Sequence, residues 1–152
     1  FFDISCLSQI IDTHKTTNSS VIAVNKIDKE NIHKYGVINP GKNEYDSILI
    51  EDIVEKPKAE EAPSDIAVCG RYIFTSLIFD HLESTNFDRS GEIQLTDAIR
   101  SLIQSQQVHA RLYEGEKFDC GSKKGFVHAT IALALRDSSI SDDISKLIKE
   151  II

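Results

Sequence analysis

The sequence contains no methionine, and its first residue is Phe1. We therefore expect a processed, truncated or partial chain rather than an intact translation product. The opening FFDISCLSQII lacks the basic n-region and small-residue cleavage site of a secretory signal. Cysteine is scarce. Cys6, Cys69 and Cys120 are odd in number, far apart and without a CxxC pair, a pattern that predicts reduced thiols in a cytoplasmic protein and argues against zinc. Positive charge is also short, with 17 Lys and Arg against 24 Asp and Glu and a net charge of −7. That balance argues against a general nucleic-acid binder, which needs a basic face, and against a surface that docks on anionic lipid. No apolar run approaches the ~20 residues of a membrane span. GxSxG, GxxxxGK[ST] and GxGxxG are all missing. His14, His33, His81, His109 and His128 form no ligand-like cluster and read as surface or packing residues.

What is present is the material of one soluble domain. The chain has 152 residues, 41% hydrophobic and 27% charged, and domains run about 100–200 residues. At that size roughly 68–70% of the extended-chain surface can be buried without a disulfide or metal staple.

Hydrophobic spacing orders the chain. Ile4, Leu7, Ile10, Ile11 and His14 predict a helix over 4–14 with one buried stripe. Val21-Ile22-Ala23-Val24 is continuously apolar, as expected of a strand covered on both faces. A polar stretch over 25–34 predicts a loop with one helical turn, and Tyr35-Gly36-Val37-Ile38 restarts an extended segment. Asn39-Pro40-Gly41-Lys42-Asn43 reads as a turn. Ser47 to Glu55 alternates like a strand that Pro57 ends, and a charged loop follows to Asp65. Ile66 to Phe74 predicts another strand, and Ser76 caps a short helix with Leu77, Ile78 and Leu82. A loop over 86–91 leads to a helix marked by Leu95, Ile99, Leu102 and Ile103. Val108, Ala110 and Leu112 alternate with His109, Arg111 and Tyr113, predicting a half-buried strand. Two helices finish the chain. The first carries Phe126, Val127, Thr130, Ile131 and Ala134. The second, after Asp142 and Asp143, carries Ile144, Leu147, Ile148, Ile151 and Ile152 and must pack on this domain or a neighbouring subunit. This order predicts an α/β architecture.

Three segments carry possible chemistry. In Val54-Glu55-Lys56-Pro57 a strand ends in an acid and a base, with Pro57 expected to hold Lys56 extended. Neighbouring strand residues face opposite sides, so one ligand meets both only where the strand frays. Such a site offers a carboxylate to sugar hydroxyls and an ammonium to a phosphate; the alternative is two solvated charges at a strand exit. In Phe118-Asp119-Cys120-Gly121, Asp119 stands at a strand end ahead of a helix, where α/β sheets gather ligands. Mg²⁺ takes one or two carboxylates plus phosphate oxygens; the alternative is a turn or cap aspartate. In Tyr35-Gly36-Val37, Gly36 allows close backbone approach of a ligand or simply serves a turn.

The strings VEKP, IAVCGRYIF, GEIQLTDAI and FDCGSKKGF, preceded by SVIAVNKIDKENIHKYGVI, together resemble the bacterial UTP–glucose-1-phosphate uridylyltransferases over residues 1–137. The resemblance implies the C-terminal half of a Rossmann-like nucleotidyltransferase fold, a mixed sheet flanked by helices that is incomplete without its N-terminal half. Residues 1–137 would form the sugar-phosphate side of that domain and 138–152 a C-terminal helix. The nucleotide-gripping loop, the uracil contacts and a first metal-binding Asp would belong to the absent half. By the same resemblance Gly36 contacts glucose through its backbone, Glu55 accepts bonds from glucose hydroxyls, and Lys56 pairs with glucose 1-phosphate. The backbone of Val68 lines the sugar pocket, and Asp119 is the second Mg²⁺ ligand. Lys56 and Asp119 are thus the expected catalytic pair. Ser122 replaces an Asp common in relatives and can cap the next helix equally well.

The implied reaction joins UTP and glucose 1-phosphate to give UDP-glucose and pyrophosphate in the cytoplasm, with Mg²⁺ as cofactor. A homo-oligomer or a complementing N-terminal half is the expected protein partner, and neither nucleic acid nor membrane is. A related enzyme using dTTP and a non-catalytic remnant are the alternatives. The segment Gly91 to Asp97 is a recognisable signature without an assigned role.

Overall fold

The computed structural model describes residues 5–88 and 91–151. Ile4 and Ile152, assigned above to helix stripes, lie outside the described residues, as do Arg89 and Ser90 of the 86–91 loop. The chain divides into two compact units, one within Ile4–Glu114 and one within Gly115–Ile152.

In chain order the first unit holds α1 (Cys6–Thr17), β1 (Ser20–Lys26), a 3-10 turn (Lys29–Lys34), β2 (Gly36–Glu44), β3 (Ser47–Glu55), β4 (Ile66–Ile73), α2 (Leu77–Ser84), α3 (Leu95–Ile103) and β5 (Val108–Leu112). The uninterrupted apolar run of β1 has its physical counterpart in burial on both faces, with Val21, Ile22, Ala23 and Val24 all fully buried. Ile22 and Val24 feed a large core with Ile38, Ile53, Ile99 and Leu102, whereas Val21 and Ala23 join Ile10 in a smaller one beneath α1. β1 runs parallel to β5 and antiparallel to β4. β2 and β3 form an antiparallel hairpin, and the order β1-β4-β2-β3-β5 closes on itself. The expected α/β class and mixed sheet with flanking helices therefore hold, and ring closure is the feature that sequence patterning did not reveal. Its seams are thin: β2 meets β4 at Val37–Ala67, and β3 meets β5 at Ile48–Ala110 and Leu49–His109. Packing of Ile38, Ile48 and Ile50 into the large core supplements these short ladders.

Four expectations need correction in this unit. The chain does not turn at 39–43. β2 continues through it, and the reversal falls at Tyr45 and Asp46, whose φ values are 51 and 55. Two positive φ angles match the right-handed twist of the flanking strands, as a two-residue hairpin turn requires. Pro40 is tolerated because the pairing register shifts around it. Gly41 is required by crowding, since a Cβ there would stand 2.9 Å from Glu51 Cγ and 3.1 Å from the Leu49 carbonyl oxygen.

The second correction concerns α1, whose buried face is Gln9, Ile10 and Thr13, while Leu7 is 51% exposed. Burial of Gln9 is compensated because its side chain donates to the Glu114 carbonyl at 2.8 Å and accepts from the Glu114 N–H at 2.8 Å. Third, Ser76 stands at the N-cap of α2 but makes no side-chain cap bond. Its own backbone is already helical, with φ −59 and ψ −21. Fourth, His109 is buried rather than on the polar face of β5. Ser47 Oγ donates to the Glu44 carbonyl at 2.7 Å, so it accepts from His109 Nδ1 at 3.0 Å. Burial holds His109 below the usual histidine pKa, against the opposing pull of Glu44.

The second unit contains α4 (Lys123–Arg136) and α5 (Ser141–Ile151). Ser122 caps α4 as expected, accepting from the Gly125 N–H at 3.0 Å. The predicted stripes are not buried. Phe126 is 60% exposed, Val127 and Ile131 are exposed as well, Ala129 is the buried residue of α4, and none of α5 is buried among the described residues. A helix pair by itself lacks the second layer that covers such faces.

Candidate functional site

Strand register creates the first cluster. Gly36 opens β2, Glu55 closes β3, and the hairpin pairs them directly. A Cβ at Gly36 would stand 3.2 Å from Glu55 Oε2, 3.6 Å from Thr96 Oγ1 and 3.7 Å from Val68 Cγ2. The missing side chain of Gly36 thus marks the point where β2, β3, β4 and α3 converge. Three of the residues singled out from sequence, Gly36, Glu55 and Val68, meet there. Thr96 was not foreseen, although it belongs to the signature Gly91–Asp97. It donates a hydrogen bond of 2.6 Å to Glu55 Oε2. Its spacing was a usable signal, because Thr96 is three residues before Ile99 and so shares the helix face that packs on the sheet.

Lys56 departs from expectation. Its φ is 44, in the left-handed region, rather than extended ahead of Pro57. A lysine adopts that region only at an energetic cost, and such strain persists where the surroundings impose it. Here the Lys56 N–H donates to the Tyr35 carbonyl at 3.1 Å, extending the hairpin by one bond. The change of backbone direction brings Lys56 Nζ within 3.7 Å of Glu55 Oε1, with the two side chains 62% and 31% exposed. Adjacent residues that would diverge on a regular strand therefore present their charges side by side. The two oxygens of Glu55 are divided, Oε2 toward Thr96 and Oε1 toward Lys56.

The Glu55 carboxylate is also felt by Tyr72 of β4. The Tyr72 phenol is held above its ordinary pKa first by burial and then by the charges of Glu55 and Cys69, against an opposing effect of Arg71. The Tyr72 ring stacks on Phe74 with centroids 5.2 Å apart. Chemically, this cluster combines a hydrogen-bond acceptor for hydroxyl groups, an exposed ammonium for an anion and a backbone open to close approach. A separate cavity of about 660 Å³, lined by Lys26, Asn43, Ser47 and Arg111 among others, lies at the Ser47 end of β3, away from Glu55.

Asp119 belongs to the second unit. It is exposed, and its Oδ1 accepts from the Gly121 N–H at 3.0 Å, the geometry of an Asx turn. The adjoining backbone is tightly seated, since a Cβ on Gly125 would fall 1.8 Å from the Asp119 carbonyl oxygen. Phe118 is fixed edge-on to His128 at 5.4 Å, and the Arg136 guanidinium lies 5.8 Å from the centre of its ring. Asp119 offers one carboxylate, and no group of three or more His, Cys, Asp or Glu converges among the described residues. A lone exposed carboxylate fits a hard cation that takes its remaining ligands from water and phosphate oxygens, as Mg²⁺ does. No helix among the described residues is long and apolar enough to cross a membrane.

The family model described as nucleotidyl transferase matches residues 2–135. A UTP–glucose-1-phosphate uridylyltransferase of Staphylococcus epidermidis is 42% identical over 149 residues, covering 98% of this chain and 52% of its own length. UTP–glucose-1-phosphate uridylyltransferase 2 of Staphylococcus saprophyticus is 41% identical with the same coverage. A crystal structure of UDP-glucose pyrophosphorylase complexed with UDP-glucose superposes with a TM-score of 0.82 at 38% identity, covering 87% of this chain and 51% of that one. A UTP-bound UGPase from Acinetobacter baumannii superposes with a TM-score of 0.85 at 33% identity, covering 97% and 50%. The chain spans about half the length of the relatives it matches.

Proposed function

The chain belongs to the nucleotidyl transferase family, and from that premise we propose that it supplies the sugar-phosphate side of a UTP–glucose-1-phosphate uridylyltransferase. The observation that carries this reading is the divided Glu55 carboxylate beside Gly36 and Lys56. Glu55 accepts bonds from glucose hydroxyls, Gly36 and the Val68 backbone admit the ring, and the Lys56 ammonium meets the 1-phosphate. A phosphate oxygen of glucose 1-phosphate attacks the α-phosphorus of UTP in line and pyrophosphate leaves, giving UDP-glucose. Chemistry of this kind depends on positioning and charge neutralisation rather than on a covalent intermediate. Lys56 orients the attacking phosphate. Asp119 is the residue of this chain that would hold Mg²⁺, which when bound offsets charge at the reacting phosphates.

The names of the relatives at 39–42% identity support UTP over dTTP. A thymidylyltransferase structure at 24% identity is similar in fold. The nucleotide side of the reaction falls to a complementing N-terminal half, a homo-oligomer being the alternative protein partner, and a cytoplasmic setting accords with the three reduced thiols. The test is pyrophosphate release from UTP, glucose 1-phosphate and Mg²⁺ by this chain alone and by this chain mixed with an N-terminal half taken from a relative. Activity confined to the mixture supports the proposal. A folded chain inactive in both reactions is better described as a binding remnant.

A further inference from the structure

Arg100 has no part in the site as described, yet it stands one helical turn after Thr96 on α3, so both side chains leave the same face of the helix. Arg100 grips Asp52 of β3 through two hydrogen bonds, Nε to Oδ1 at 2.8 Å and Nη2 to Oδ2 at 2.7 Å. The Ile53 N–H donates to Asp52 Oδ1 at 2.8 Å, so the carboxylate receiving the guanidinium is itself oriented by the backbone. Burial would lift the Asp52 carboxyl, but the bonds from Arg100 and Ile53 and the charge of Arg100 outweigh it and hold its pKa below the usual value.

Besides the apolar packing of Ile99 and Leu102 with Ile53, α3 is tied to β3 by polar contacts at two points, the Arg100 fork at Asp52 and the single Thr96 bond at Glu55. A planar two-point contact defines orientation as well as distance, which one hydroxyl bond does not. Toward α2, the ring nitrogens of His81 lie 2.8 Å from Ser101 Oγ of α3 and 3.0 Å from Ser105 Oγ just beyond its end. The Arg100 and Asp52 side chains are 56% and 32% exposed, and ion pairs so open to water contribute little to stability. The value of this pair lies in what it aligns.

We propose that Arg100 and Asp52 are positioning residues for the sugar-phosphate site: their fork holds α3 so that Thr96 occupies Glu55 Oε2, and Oε1, beside Lys56, keeps lone pairs for sugar hydroxyls. The proposal rests on the reading of Glu55 as a sugar-hydroxyl acceptor. Inorganic phosphate, which needs Lys56 alone, is the control ligand.

The experiment uses the 152-residue chain with labelled threonine methyl groups. It compares the original chain with Arg100→Met, Asp52→Asn, the double variant and Arg100→Lys, and titrates each with glucose 1-phosphate and with inorganic phosphate. Expected is a loss of about tenfold in glucose 1-phosphate affinity in each single variant, with no further loss in the double variant, as one shared device requires. Phosphate affinity and melting temperature stay nearly unchanged, the Thr96 methyl resonance moves, and Arg100→Lys falls between because it keeps the charge without the fork. Equal losses for both ligands, additive losses or unaltered glucose 1-phosphate binding overturn the proposal. Should the original chain bind neither ligand, the sugar-phosphate reading fails. The Thr96 methyl then decides the coupling: unmoved in Arg100→Met it overturns the brace, and displaced equally in both single variants it sustains it.

Discussion

Glu55 and Asp119 are both carboxylates flagged by short motifs, and they are held in unlike ways. Glu55 is set by residues distant in the chain, Thr96 on α3 and Gly36 across the hairpin, with Lys56 alongside. Asp119 is set by its own neighbourhood, bonding the N–H of Gly121 two residues on. The units that carry them differ in the same sense. The first has two buried cores, whereas the helices of the second leave Phe126, Leu133 and Leu147 exposed. A side chain held from several elements is prepared before a ligand arrives, while a locally held one gains its geometry from what it binds.

The largest effect expected to sharpen this contrast is on stability. Ile53 is 1% exposed in the large core, so Ile53→Ala should cost about 2–5 kcal/mol, whereas Ile131→Ala on α4 should stay within about 0.5 kcal/mol. Denaturant unfolding of both variants checks the pair, and equal losses would erase the distinction between the units.

Catalysis gives the next test. In the complemented enzyme, Lys56→Ala and Asp119→Asn should each lower kcat/KM on the order of 100-fold, about 2.7 kcal/mol at 1.36 per decade. Steady-state pyrophosphate release measures it, and a variant with unchanged kinetics removes that residue from the mechanism.

Lys56→Gly separates the two quantities at one position. Glycine accepts the φ of 44 without strain, so thermal unfolding should show a gain of about 1 kcal/mol while activity falls with the lost ammonium. A destabilised Lys56→Gly would mean that the left-handed backbone carries no strain.

The smallest effect is one of pH. The folded-state pKa of His109 is lowered from 6.5, so the unfolded chain binds the proton first. The stability contributed by neutral His109 is complete above the unfolded value and is lost as pH falls through it toward the folded one. Unfolding midpoints between pH 7.5 and 5 should therefore fall with acid in the original chain and less steeply in His109→Gln. Equal slopes would assign the acid sensitivity elsewhere.

Periodicity revealed the elements of the first unit well where burial follows from hydrophobicity. The continuous apolar run of β1, the alternation of β3 and the stripe of α3 all coincide with real elements. It misled where polar groups found partners across the fold. Gln9 and His109 are buried because Glu114 and Ser47 meet their hydrogen bonds, and no local pattern announces such partners. The site was legible as motifs, and the structure brings Gly36, Glu55 and Val68 together. Thr96 escaped notice because its value depends on where α3 lies against β3.

By itself the sequence determined most of the helices and strands, though not the passage of β2 through 39–43, together with the absence of the common nucleophile and P-loop motifs and the short strings that tie the chain to its family. Those properties follow from local spacing and residue chemistry. Only the tertiary structure decided that the sheet closes, that Lys56 bends to share a side with Glu55, and that a helix from a segment of unassigned role completes the carboxylate's surroundings. The physical reason is that register and helix placement are set by the packing of side chains far apart in the chain, so a hydrogen bond such as Thr96 to Glu55 exists only once that packing is complete.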